Sequence, residues 1–348
     1  MRTTRKPQLP SIERQAVNLA PEAFIKTSFV VDGARLPIEV QPSIDGLDLV
    51  AWCQQNKHVV DEMLLKHKAI LFRRFGVETI NLFNNLVTAL YDGSLMEYKD
   101  RSTPRQELAQ KVYTSTVYPA ERRIALHNEG TYWVKWPLKL IFCCINEPDE
   151  GGETPIADSS RIYNRIPPTI REKFAQKHIL YVRNYNDGFG LTWQDAFQTQ
   201  DHKLVEEYCY QNRIEFEWKS NNRLRTRQVR RAIAQHPRTG EYVWFNHAAF
   251  FHVSSLDPAI RDVLVREFCE EDLPYNTYYG DGSPIESSVL EALRAAYQEE
   301  TVQFSWKKGD VMIIENMSVC HGRAPYSGSR KVVVAMAEPF SETPYQTT

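Results

Sequence analysis

Arg122-Arg123-Ile124-Ala125-Leu126-His127-Asn128-Glu129 reads as a short polar strand near the middle of a 348-residue chain. An extended strand sends successive side chains to opposite faces, so residues i and i+2 share one. His127 and Glu129 therefore project together, an imidazole beside a carboxylate. They make two of the three ligands of a 2-His-1-carboxylate triad, the donor set that holds non-haem Fe(II) and leaves positions open. A third ligand is offered far along the chain by His321, within Asn316-Met317-Ser318-Val319-Cys320-His321-Gly322-Arg323. A His-x-Glu triplet alone is also common on solvated strands. Zinc deaminases carry one too, but they add a Pro-Cys-x-x-Cys that is absent here, as is the His-Glu-x-x-His of zincins.

Outward from that strand the chain is β-rich. Apolar or alternating runs at residues 112–116, 138–145, 179–185, 214–218, 302–306, 311–316 and 331–336 predict short strands. Residues 232–236 and 242–246 flank Pro237-Arg238-Thr239-Gly240, a hairpin turn signal. Gly151-Gly152 is a turn feeding a further strand. Helical spacing predicts helices over 47–68, 79–91, 203–212, 258–272 and 284–301. One over 160–174 is interrupted by Pro167-Pro168. Apolar strand 69–73 is followed by no glycine-rich phosphate loop, which argues against a Rossmann or P-loop reading. Many short strands with helices inserted favour a mainly β, α+β chain built on a sandwich or jelly roll. No repeat and no Pro/Gly/Ser linker divides it. We expect one domain over 1–348, with an N-terminal arm over 1–35 and the catalytic jelly roll over 36–340.

The composition is that of an ordinary globular protein, 42% hydrophobic and 25% charged. A net charge of -2 supplies no field for nucleic acid or an anionic membrane. The basic start lacks the apolar run of a secretory signal, and no stretch approaches a membrane span. Six cysteines without a Cys-x-x-Cys pair read as reduced, buried thiols. The expectation is a cytoplasmic protein.

Further stretches carry a resemblance. Leu126-His127-Asn128-Glu129-Gly130-Thr131-Tyr132 is followed by Trp136-Pro137-Leu138-Lys139 and then by Glu150-Gly151-Gly152-Glu153-Thr154-Pro155-Ile156-Ala157-Asp158. His321-Gly322-Arg323-Ala324-Pro325-Tyr326-Ser327-Gly328-Ser329-Arg330 completes the set. Together they resemble the TauD/TfdA family of Fe(II)/2-oxoglutarate-dependent dioxygenases, and within it the SyrP-like branch associated with amino-acid tailoring in nonribosomal peptide biosynthesis. The resemblance implies a double-stranded β-helix (jelly-roll, cupin-like) core. It implies Fe(II) on His127, Glu129 and His321, with 2-oxoglutarate and O2 as cosubstrates. Many family members carry Asp where Glu129 stands, so the longer side chain must fold back or tilt to reach the same metal.

The resemblance also matches Arg330 to the arginine that binds the distal carboxylate of 2-oxoglutarate, with Thr154 adding a hydroxyl. A planar guanidinium pairs bidentately with a carboxylate and stays charged when buried. Arg323 is the rival for that role. Asn128, Tyr132, Tyr113, Thr116, Arg183, Trp244 and Asn246 are substrate-contact candidates. Arg183 stands out because a buried arginine needs an anionic partner. His247 and His252 read as structural or as supports behind the site residues. The basic run from Arg223 to Arg231 is a solvated face or a docking patch for an acidic carrier protein. The expected activity is hydroxylation of an unactivated C–H bond in an amino-acid-like substrate, free, peptidyl or carrier-tethered, with release of succinate and CO2. Desaturation, epoxidation or cyclisation by the same family are the alternatives. A non-catalytic metal-binding jelly roll is the alternative of another class. Relatives are often dimers or tetramers, so a homo-oligomer is left open.

Overall fold

The computed structural model describes residues 20–102, 106–115, 118–185 and 190–341. An eight-stranded sheet forms its base, in the order Ile25–Phe29, Ile38–Pro42, Ala69–Phe72, Val311–Glu315, Trp136–Asn146, Lys331–Phe340, Val112–Thr114 and Glu107–Ala109. All neighbours are antiparallel except Ile38–Pro42 beside Ala69–Phe72. The central strands are apolar on both faces because both are covered. Along Trp136–Asn146 the period of two separates two cores. Leu140, Phe142 and Cys144 point into the jelly roll. Ile141 and Cys143 point to the other side, where helices Leu49–Gln55, Lys57–His67 and Ile80–Tyr91 bury Trp52, Val60, Leu64, Phe83 and Leu86. The adjacent cysteines thus face opposite ways, as their strand position predicts.

Over the inner face lies a three-stranded sheet, in the order Ile124–His127, Val319–Arg323, Ile156–Asp158. Its Ile156, Ala157, Val319 and Cys320 share one core with Leu140, Phe142, Val332 and Val334 of the large sheet. The chain leaves the large sheet at Glu315 and enters the small one at Val319. That passage from one sheet to the other builds the double-stranded β-helix. A four-stranded sheet, Glu215–Lys219, Arg223–Arg230, Ile179–Tyr185 and Tyr275–Tyr279, extends the barrel on the side of the ligand strand's C-terminal end.

Several local expectations are borne out with their causes visible. The Thr79 hydroxyl caps Ile80–Tyr91 by accepting from Leu82 N–H. The helix broken at Pro167-Pro168 is two helices, Ser159–Arg165 and Pro168–Lys177, the second starting on proline. Others need correction. The helix expected over 47–68 divides at Asn56, whose backbone leaves the helical region (φ -124°, ψ 34°) and whose amide bonds back to Trp52 C=O. Residues 302–306 form no strand, only a bridge between Val302 and Ile156. Within the 1–35 arm, Ile25–Phe29 is an edge strand on Ile38–Pro42. Among the described residues no helix is long and apolar enough to cross a membrane.

Candidate metal centre and its two cavities

The small sheet places His321 directly opposite His127 in the antiparallel pair. Glu129 follows just past the strand's end, where the chain turns at Gly130 with φ +71°. A Cβ on Gly130 would lie 2.3 Å from the Trp133 ring, so only glycine permits this turn. His127, Glu129 and His321 are all buried, and one ligand atom from each falls within 4.8 Å of the others. They are the one group of this kind among the described residues. His127 Nδ1 lies 2.9 Å from the Ala125 carbonyl, which calls for the N–H there and assigns Nε2 as the atom to face a metal. Phe250 lies flat on the His127 ring at 4.6 Å, and Phe142 packs against His321 at 5.1 Å. Two imidazoles and a carboxylate in an apolar frame suit a divalent transition metal with open coordination positions.

Glu129 is held through its backbone. Asn316 Oδ1 accepts from Glu129 N–H at 2.8 Å, and its Nδ2 donates to Glu129 C=O at 2.9 Å and Pro137 C=O at 2.8 Å. The Asn316 carbonyl accepts from Asn128 Nδ2 at 2.6 Å. No sequence signal singled out Asn316 beyond its place in the His321 stretch.

Two cavities meet at Ile124 and His127. The larger, about 480 Å³, opens on the Glu129 side. The smaller, about 30 Å³, lies between the sheets and is lined by Ser115, Thr154, His321, Arg323 and Arg330. It has room for a water or two, so a five-carbon acid enters only if side chains turn aside. Arg330 donates from Nε to Gly152 C=O at 2.7 Å and reaches Thr154 Oγ1 at 3.4 Å. Trp306 Nε1 also donates to Thr154 Oγ1, at 3.0 Å. Gly152 has φ +71°, and a Cβ there would press on Arg330 Cδ at 2.9 Å. Burial, then the nearby Arg323 cation, lowers the Arg330 pKa to about 10. No described carboxylate pairs with Arg330. It is a half-buried cation next to the ligands without an ion-pair partner.

Arg323 is placed differently. Its guanidinium donates to the carbonyls of Tyr118 at 2.9 Å, Arg122 at 2.8 Å and Pro119. It braces the loop that leads into the ligand strand.

The substrate candidates scatter. Arg183 and Tyr132 come together, but Arg183 already has its anion: Nη1 pairs with Asp100 Oδ1 at 2.6 Å and Nη2 donates to Arg101 C=O at 2.6 Å. Tyr132 donates to Asp100 C=O at 2.9 Å and lies under the guanidinium. Of the six candidates among the described residues only Arg183 lines the larger cavity. Asn128 faces away from the metal ligands and donates to Ser159 Oγ. Tyr113 packs against Tyr98, and its hydroxyl accepts from Tyr98 N–H. Trp244 is enclosed in the core against Phe174. Asn246 Nδ2 donates to Ala232 C=O, and its Oδ1 accepts from Ala248 N–H. Thr116 lies outside the described residues. His247 does line the cavity, with Nε2 donating to Asn128 C=O at 2.7 Å. Burial and the neighbouring His127 hold its pKa down to about 3, so it is neutral. The basic run is largely committed inside the chain: Arg225 pairs with Asp272 at 2.6 Å, and Arg230 donates to Tyr132 and Asn212 carbonyls.

Residues 32–336 match the family model described as taurine catabolism dioxygenase TauD, TfdA family. The chain is 42% identical over 282 residues to the dapdiamide synthesis protein DdaC of Enterobacter agglomerans, covering 81% of this chain and 85% of that one. It is 28% identical over 292 residues to a clavaminate synthase-like protein of Arabidopsis thaliana, with the same coverage. Among solved structures, the PvcB protein of Pseudomonas aeruginosa is similar in fold, with a TM-score of 0.55 at 13% identity, over 92% of this chain and 93% of that one.

Proposed function

This chain belongs to the TauD/TfdA family of Fe(II)/2-oxoglutarate-dependent dioxygenases, and we propose that it hydroxylates an unactivated C–H bond of an amino-acid-like substrate in a secondary-metabolite pathway. The observation that carries the reading is the triad His127, Glu129 and His321 with an uncompensated Arg330 on one side and a roomy cavity on the other. The 42% identity to a dapdiamide synthesis protein supports the biosynthetic setting.

His127 Nε2, the Glu129 carboxylate and His321 would hold Fe(II). Bound there, iron with 2-oxoglutarate supplies the O2 activation that oxidises a C–H bond as succinate and CO2 are released. The chain's own residues do the rest. Ala125 C=O fixes the His127 tautomer, and Asn316 fixes the Glu129 backbone. Arg330 would take the distal carboxylate of 2-oxoglutarate as a charge-assisted pair, with Thr154 O–H free to donate to the same group. Phe250 and Phe142 keep water from the ligand faces. Neutral His247 adds no charge to the cavity.

Anaerobic addition of Fe(II) and 2-oxoglutarate should produce a visible charge-transfer band. No band in the wild type overturns the reading. A band that survives His127→Ala together with Glu129→Ala overturns the ligand assignment. Mass analysis of turnover products with amino acids, free and on carrier proteins, then tests substrate and hydroxylation.

A further inference from the structure

The larger cavity contains three arginines, and they differ in one respect. Arg183 is matched by Asp100. Arg122, half-buried, and Arg123, exposed at the cavity rim, lie just ahead of the ligand strand and have no hydrogen-bond or ion-pair partner for either guanidinium among the described residues. The cavity also holds Glu121 and Asp257. Neither comes within ion-pair distance of Arg122 or Arg123, and Asp257 accepts from Ala259 N–H as a helix cap. Two adjacent cations therefore stand in the wall of the substrate cavity with nothing of the chain to neutralise them.

Their place just before the strand gives a length. Four residues of extended chain separate Arg123 from His127, roughly 13 Å at most. The surface between is not uniformly polar. Phe250 lies on the His127 ring, Phe251 stacks on Phe250 at 5.4 Å, and Tyr275 packs on Phe251 at 5.5 Å. A ligand filling this cavity meets the metal ligands at one end, aromatic rings along one side, and a pair of free guanidiniums toward the other end.

We propose that the substrate carries a carboxylate or a phosphate at the end remote from the carbon to be oxidised, and that Arg122 and Arg123 hold it. This deepens the proposed function and rests on it for the position of the oxidised carbon. Guanidiniums pair with either anion through the same fork of donors. A free or peptidyl acid would present a carboxylate, and a carrier-tethered residue the phosphate of its pantetheine arm.

The test uses the full chain loaded anaerobically with Fe(II) and 2-oxoglutarate, and two pairs of probes. Pantetheine is compared with 4′-phosphopantetheine, and dialanine amide with dialanine, by calorimetry. The member of one pair that carries the phosphate or the carboxylate should bind at least about tenfold tighter than its twin without it, which identifies the source. The advantage should vanish in the Arg122→Ala, Arg123→Ala double variant, whose charge-transfer band should remain that of wild type. Equal binding of the twins in both pairs, or an advantage that survives the double substitution, overturns the proposal. Loss of the oxygenase reading is distinguished by the absence of the band in wild type.

Discussion

Asn316 and Glu129 exchange two hydrogen bonds, side-chain amide to backbone amide: Glu129 N–H to Asn316 Oδ1 at 2.8 Å and Asn316 Nδ2 to Glu129 C=O at 2.9 Å. The pattern is that of one antiparallel rung, supplied by a side chain where the ligand strand has left its sheet. Removing it in Asn316→Ala leaves buried backbone groups at Glu129 and Pro137 unpaired. Three groups at about 1–3 kcal/mol each should lower stability in denaturant unfolding by at least about 3 kcal/mol. Fe(II) affinity, read by titration of the charge-transfer band, should fall about 10–100-fold because the carboxylate is no longer aimed.

Arg330 and Arg323 should separate by assay. Arg330→Ala removes the uncompensated cation, and the KM for 2-oxoglutarate should rise about 100-fold, with little change in melting temperature. Arg330→Lys keeps the charge but loses the fork and should recover only part of it. Arg323→Ala strips three donors from the carbonyls of residues 118–122. It should lower thermal stability first, and the KM much less.

The Asp100–Arg183 pair is buried on both sides, with 2% and 8% of the side chains exposed. The Asp100→Ala change strands a buried guanidinium without its carboxylate, and should cost about 3–5 kcal/mol in urea unfolding. Arg183→Met with Asp100→Ala removes both charges and should recover much of that loss.

His252 is held neutral, its pKa lowered to about 4 by burial and by Arg294. The unfolded chain binds this proton at about pH 6.5 and the folded chain does not. Stability from this group is therefore complete above pH 6.5 and is lost as pH falls toward 4. Melting temperature against pH should decline over that window in wild type and less steeply in His252→Asn, which keeps an acceptor for Ser254 N–H.

Most of the strands, the proline-split helix, His127-x-Glu129 and His321 were legible in the amino-acid sequence, because period-two alternation, capping residues and ligand types act over a few neighbouring positions; Arg330 was singled out only by the family resemblance. Substrate contacts were not. Arg183 read as a site for an external anion, yet Asp100, distant in sequence, fills it. Asn246 and Trp244 read as cavity residues and are packed inward. Whether a buried arginine is satisfied depends on which carboxylate the fold brings to it, and no local pattern carries that. Sequence alone determined which atoms could hold a metal. Tertiary structure decided which charges were left without a partner, Arg330 beside one face of the triad and Arg122 and Arg123 on the other, because charge compensation is a property of through-space distance and not of order along the chain.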